Sequence, residues 1–265
     1  MNSIELGRAF ADDEVAALYQ YRAPYPGAVF TIIERLVVEP RVVLDAGAGT
    51  GALARFFPTS IVRIDALDPS AAMIARGRAL PGGDDPRIRW IIGRAEAAPL
   101  SPPYGLIVAG ASLHWMQPEV VLPRFRDALA HGARLAIVDT ETTHSGAWRP
   151  EMLDVIRRYS PLEHHVETHE LVARFVEQGR FVLEGEERTA PEPFDQSIDD
   201  YLRLLGSTST LSRVTLGRSA SSFDSECRRL FARHKMHRIR SEVVGYVAWV
   251  TLGLSTHTSV AHRAL

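Results

Sequence analysis

The chain has 265 residues, 46% of them hydrophobic and 23% charged, so a sizeable core is available and disordered or fibrous classes drop out. Its formal net charge is −2 and no block of like charges interrupts it, which argues against nucleic acid or an anionic membrane surface as a partner.

In chain order, residues 1–15 place acids where a secretory leader needs a basic start and an apolar run, so the expectation is a cytoplasmic chain. From 40 to 139, apolar β-rich runs alternate with helical patterns, the mark of βαβ units feeding a parallel sheet. The predicted strands are 41–45, 61–67, 88–93, 105–109 and 133–139. Residues 52–57 suit a short helix before Pro58. A second helix opens at Asp68-Pro69, with an N-cap acid and a first-turn proline, and stops near Pro81-Gly82-Gly83. A third covers 119–130 and ends at Gly132. Beyond 139 the pattern loosens: helices at 150–159 and 169–178, a strand at 181–188, a loop with two prolines at 189–194, then helices at 198–205 and 223–233. The single cysteine, Cys227, excludes an internal disulfide, fits a reducing compartment and reads as structural. The apolar stretch 243–254 is far shorter than the roughly 20 residues of a membrane helix and reads as a buried strand, 243–252.

The most informative stretch is Val43-Leu44-Asp45-Ala46-Gly47-Ala48-Gly49-Thr50-Gly51. Glycines at alternate positions let the backbone turn sharply and let a ligand approach where a Cβ would collide. Asp45 ends the first strand, and Asp68 ends the second, where a carboxylate accepts hydrogen bonds from ribose hydroxyls. The bland alternatives are that Asp45 caps loop amides and Asp68 caps the helix after it. Gly47, Gly49 and Ala52 also satisfy the fingerprint of a dinucleotide site. Asp45 separates the two: its charge repels a pyrophosphate over the loop and favours the ammonium and sulfonium of S-adenosylmethionine.

At these residues the chain resembles the class I S-adenosylmethionine-dependent methyltransferases, in particular the small-molecule group that includes ubiquinone-pathway and trans-aconitate-type enzymes. Leu44 to Gly51 is similar to the family's first motif, Leu67-Asp68-Pro69-Ser70 with Met73 to its second, and Gly93-Arg94-Ala95-Glu96 with Pro99-Leu100 to its third. Ser112-Leu113-His114-Trp115 resembles the segment after strand four, and Tyr21-Arg22-Ala23-Pro24-Tyr25-Pro26 an opening motif in which an aromatic and an arginine cover the donor. The matches span about half of the chain, from Tyr19 to Asp139. The resemblance implies a Rossmann-like, doubly wound α/β fold: a mostly parallel seven-stranded sheet, helices on both faces and a helical cover. One domain then spans 1–265, with an N-terminal cover at 1–39, a donor-binding core at 40–139, and late strands at 140–265 carrying a helical cover around 196–235.

Carried over, the resemblance gives S-adenosylmethionine as cofactor and S-adenosylhomocysteine as product. Asp45, Ala46, Gly47, Gly49 and Gly51 lie beneath the methionine part, and Asp68 holds the ribose. Leu67 and Met73 flank the adenine, Ala95 offers it an amide, and Glu96 is a further contact. Arg22 meets the donor carboxylate, and Tyr19 and Ala111 complete the set. One position departs: Arg94 stands where an acid often reaches the adenine amine, and a guanidinium accepts no hydrogen bond. Tyr104-Gly105 replaces the common Phe-Asp, a packing change.

Methyl transfer is an in-line displacement that needs acid–base help only when the acceptor must lose a proton. His114, after strand four, is the candidate base or else hydrogen-bonds loop backbone or donor, and Tyr21 is the second catalytic candidate; Tyr19, Tyr21 and Tyr25 have π faces and hydroxyls for a sulfonium or form an N-terminal packing cluster. Trp115 walls the acceptor or packs in the core. The expected acceptor is a small molecule with an oxygen, nitrogen or carbon nucleophile, and the alternatives are an NAD(P)-dependent oxidoreductase and a non-catalytic binding protein of the same fold. His144, His164, His165 and His169 lack metal-site spacing, so no metal is expected. Gly110-Ala111-Ser112-Leu113 replaces the clamp of nucleic-acid amino-methyltransferases.

Overall fold

The computed structural model describes residues 8–160 and 167–253; His164 and His165 lie outside them. Eight strands form one sheet: β1 (Val42–Ala46), β2 (Arg63–Asp68), β3 (Ile88–Ile92), β4 (Leu106–Gly110), β5 (Leu135–His144), β6 (Phe181–Arg188), β7 (Glu192–Ser197) and β8 (Arg238–Leu252). The order is β3-β2-β1-β4-β5-β8-β6, with β7 also paired to β8. β1 to β5 run parallel and β8 antiparallel, the mostly parallel Rossmann-like sheet expected. The sheet is seven positions wide, because β6 and β7 share one edge of β8: β6 takes 246–252 and β7 takes 238–243.

Alternation along the strands sends successive side chains to opposite faces. Leu44, Ala46, Ile107, Ala109, Leu135 and Ile137 meet α4 (Pro118–Ala128) and α6 (Thr168–Glu177). Val43, Leu106, Val108, Ala136 and Val138 meet α2 (Gly27–Leu36) on the other face. Helices therefore cover both faces. A third apolar cluster lies in the late part of the chain, where α5 (Trp148–Tyr159), α7 (Ile198–Gly206) and α8 (Ala220–Arg233) enclose Trp148, Tyr201, Cys227 and Phe231. Tyr104 is packed as expected, its hydroxyl donating to the buried Asp65 at 2.7 Å.

Five expectations change. The predicted loop 189–194 becomes β7 from Glu192 onward; Pro193 is tolerated because β7 is an edge strand. β5 and β8 each run five residues further than predicted, since Asp139–His144 has lost its apolar pattern but pairs residue for residue with Ser241–Tyr246. The helix at 52–57 is one 3-10 turn, Ala54–Phe56. The cap of α3 (Ala71–Ala79) is Ser70, whose Oγ accepts from Met73 N at 3.1 Å, and not Asp68. Residues 1–39 do not act as one cover: α1 (Asp13–Leu18) packs against α3 and α7, whereas α2 lies on the sheet. Among the described residues no helix is long and apolar enough to cross a membrane, and no three His, Cys, Asp or Glu side chains cluster as metal ligands.

Candidate functional site

A cleft of about 1700 Å³ opens at the carboxyl ends of β1 and β4, between which the strand order reverses. A pocket for one small ligand runs to roughly 300–1,000 Å³, so there is room here for two.

Gly47, Gly49 and Gly51 all have positive φ, at 75°, 57° and 73°. Their surroundings differ. A Cβ on Gly47 would stand 2.5 Å from Ser112 Cβ, so the loop packs directly on the segment after β4, where Ser112 Oγ donates to the Ala46 carbonyl at 2.6 Å. A Cβ on Gly51 would strike the Trp90 ring at 2.6 Å, whereas one on Gly49 would meet only the Tyr19 ring, at 3.9 Å. Gly49 therefore leaves its backbone bare toward the cleft. The amides of Gly47 and Ala48 both donate to the Leu67 carbonyl, at 2.8 and 2.9 Å, and fasten the loop to β2.

Asp45 is 1% exposed and its Oδ2 accepts from Ala54 N at 3.2 Å. Burial pushes its pKa up to about 7; the Ala54 amide opposes this and the Asp68 charge adds to it. Among the described residues no basic side chain pairs with it. Asp68 Oδ2 accepts from Gly49 N and Oδ1 from Ser70 N, each at 2.8 Å. Burial raises its pKa against those two amides. Each carboxylate oxygen retains a further lone pair. Both acids line the cleft.

Tyr19, Arg22, Leu67, Met73, Ala95, Glu96, Ala111 and His114 line the same cleft with Gly47 and Gly49. Arg22 lies over the Tyr19 ring at 4.0 Å and donates from Nε to Ser207 Oγ at 2.9 Å and from Nη2 to Ser207 O at 2.8 Å, which ties the N-terminal segment to the end of α7. Burial pushes the Glu96 carboxyl up, but the Gln117 amide at 3.0 Å and Arg94 at 3.2 Å outweigh it and hold the carboxyl low. The departure at Arg94 is thus an ion pair with Glu96. His114 is exposed on the 3-10 turn Leu113–Trp115; its ring lies 4.5 Å from that of Trp115, which packs edge-on to Phe10.

Three expected site residues sit elsewhere. Tyr21 is outside the lining, its ring under Arg203 at 5.2 Å and its carbonyl held by Gln196 Nε2 at 2.7 Å. Ala46 and Gly51 are spent on packing, the first through its carbonyl and the second against Trp90. Conversely, Ser112, Phe10 and Asp139 line the cleft without having been assigned to the donor or acceptor. Asp139 had a signal: like Asp45 and Asp68, it is the acid that ends an apolar strand pattern. Ser112 had its place in the motif after strand four, and Phe10 had no signal.

A family model described as a methyltransferase domain matches residues 43–132. An uncharacterized methyltransferase of Mycobacterium tuberculosis is 28% identical over 145 residues, 54% of this chain and 57% of that protein. The acetylserotonin O-methyltransferase of Mus musculus is 35% identical over 118 residues, 40% of this chain and 30% of that one. The matched region thus spans little more than half of the mycobacterial protein and under a third of the murine one. Among solved structures, a candidate type II methyltransferase from Anaeromyxobacter dehalogenans superposes with a TM-score of 0.61 at 24% identity, covering 86% of this chain and 96% of the other. A candidate methyltransferase from an antibiotic biosynthesis pathway of Anabaena variabilis gives 0.52 at 16% identity, covering 88% and 100%. At these identities the likeness shows a shared fold.

Proposed function

We propose that this chain, which carries a class I S-adenosylmethionine-dependent methyltransferase domain, transfers a methyl group from S-adenosylmethionine to an oxygen, nitrogen or carbon nucleophile of a small molecule. The observation that carries the reading is the pair of strand-end acids, Asp45 and Asp68, lining one cleft with a glycine loop whose backbone is bare at Gly49.

The residues fit the donor. Gly49 leaves its backbone open to the cleft, and Asp68 is aimed by two amides with lone pairs left for ribose hydroxyls. Asp45, buried without a counter-charge, favours a cationic ligand over a pyrophosphate, which sets the dinucleotide alternative aside. Leu67 and Met73, both buried, are the flanks for the adenine, with Ala95 and Glu96 beside its edge. Arg22, in the cleft lining, is the residue assigned to the donor carboxylate. When bound, S-adenosylmethionine supplies an electrophilic methyl group on a positively charged sulfur. The protein's part is to hold acceptor and donor in contact and exclude water. His114, at the cleft rim, is placed to take a proton where the acceptor carries one, and Trp115 and Phe10 form an aromatic wall.

The size of the cleft supports a small-molecule acceptor beside the donor, and a formal net charge of −2 supplies no overall positive field to draw nucleic acid. Calorimetry on ligand-stripped protein tests the donor: saturable binding of S-adenosylmethionine and S-adenosylhomocysteine is expected, and no heat with either overturns the reading. Labelled donor incubated with an extract of the native cell, followed by mass spectrometry, identifies the acceptor. A labelled small molecule separates an enzyme from a binding protein of the same fold.

A further inference from the structure

We infer that Tyr25 is the residue by which the site distinguishes the charged methyl donor from its neutral product, an inference that rests on the donor reading above.

β4 ends at Gly110, the head of a strand central to the cleft. A Cβ there would stand 2.9 Å from Tyr25 Oη and 2.7 Å from Leu53 Cδ1. The missing side chain is therefore what lets a phenol from the N-terminal segment reach the end of the strand. The Tyr25 ring packs against the apolar layer between α2 and the sheet. Its hydroxyl faces the cleft and has no hydrogen-bond partner among the described residues. The charged and titratable groups acting on it are Asp139 at the β5 side, Asp45 at the β1 tip, Tyr19 and Arg22. Burial, Asp139 and Asp45 keep the phenol protonated, well above its ordinary range, with Arg22 opposing them.

A neutral phenol oxygen set among carboxylates at the end of β4 is a place for positive charge, and its lone pairs are uncommitted. Methyl transfer breaks the S–CH₃ bond, leaves the bonding pair on sulfur and joins the methyl to a lone pair of the acceptor. The sulfur loses its charge, while the ammonium and carboxylate of the amino-acid part persist. Arg22 is assigned to the carboxylate and Asp45 chiefly to the ammonium, both of which donor and product share. Tyr25, whose hydroxyl lies in the cleft beside Gly110 at the end of β4, is assigned to the sulfur, the part that changes. Its contact therefore weakens on turnover and favours release of product.

The test compares two ligands on three proteins by calorimetry. For Tyr25→Phe, S-adenosylmethionine affinity is expected to fall about five-fold or more, while S-adenosylhomocysteine affinity changes less than about two-fold. Gly110→Ala keeps the hydroxyl but displaces it, and is expected to move the ratio in the same direction. Retained product binding reports that each variant is folded. Equal loss of both ligands, or unchanged donor affinity in Tyr25→Phe, overturns the assignment of Tyr25 alone. Wild-type protein that binds neither ligand overturns the donor reading together with it.

Discussion

The carboxylate of Asp68 accepts the backbone N–H of Gly49 at 2.8 Å, so the acid that ends β2 and the glycine loop that follows β1 form one hydrogen-bonded unit. The residue proposed to hold the ribose also shapes the loop proposed to cradle the amino acid. Asp68→Ala is expected to lose both functions, and binding of S-adenosylhomocysteine should weaken by about ten- to a hundred-fold, the range of a charge-assisted hydrogen bond. Asp68→Asn keeps one acceptor oxygen and should lie between. Calorimetry on the three proteins decides it; equal affinities would remove Asp68 from the site.

Asp45 makes ligand-free stability and donor binding respond to pH in opposite senses. Its carboxyl rises from an ordinary 3.8 to about 7 on folding, so the folded chain binds more protons between those values. Stability contributed at this site is therefore greatest at low pH and falls as pH climbs toward about 7. Asp45→Asn has no such slope, and its stability relative to wild type should grow across that interval in thermal melts. Donor affinity runs the other way, because the cationic ligand needs the ionised acid. A donor affinity that is flat from about pH 5 to about pH 8 would contradict the role of Asp45.

Two glycines of one loop should fail differently. Gly47→Ala drives a Cβ into Ser112 at 2.5 Å with φ at 75°, and a loss of about 2 kcal/mol or more in unfolding free energy is expected. Gly49→Ala meets nothing nearer than Tyr19 at 3.9 Å, so its stability cost is the left-handed backbone alone, about 1 kcal/mol. Its methyl faces the cleft, and the larger effect should be on donor affinity. Denaturant melts paired with calorimetry separate the two outcomes.

Tyr21→Phe should leave affinity for S-adenosylhomocysteine unchanged, since that ring lies under Arg203 outside the cleft. A ten-fold loss would mean that Tyr21 swings inward on binding.

Cys227 is fully buried among Trp148, Phe223 and Phe231, and burial pushes its thiol up to about 12. Alkylation by iodoacetamide, followed by mass spectrometry, should be negligible in the native protein and rise with unfolding in urea. Labelling at the rate of a free thiol under native conditions would show that the late helical cluster opens locally.

The sequence by itself determined what is written locally. Short apolar runs at 41–45, 61–67 and 105–109 mark strands covered on both faces. The loop Gly47 to Gly51 marks a backbone that only glycine follows, and acids at strand tips mark Asp45 and Asp68. Tertiary structure alone decided which partner each segment would find. The polar run Asp139–His144 is a strand because β8 lies beside it, and Glu192–Ser197 is one because the other edge of β8 was open. Neither fact has a local period. Of the tyrosines at 19, 21 and 25, the cleft receives the first and third, since the path of the chain sends the middle one to Arg203. Periodicity tells which side chains alternate inward; it carries no information on which distant residue they meet, and that meeting sets strand length, caps and the walls of the site.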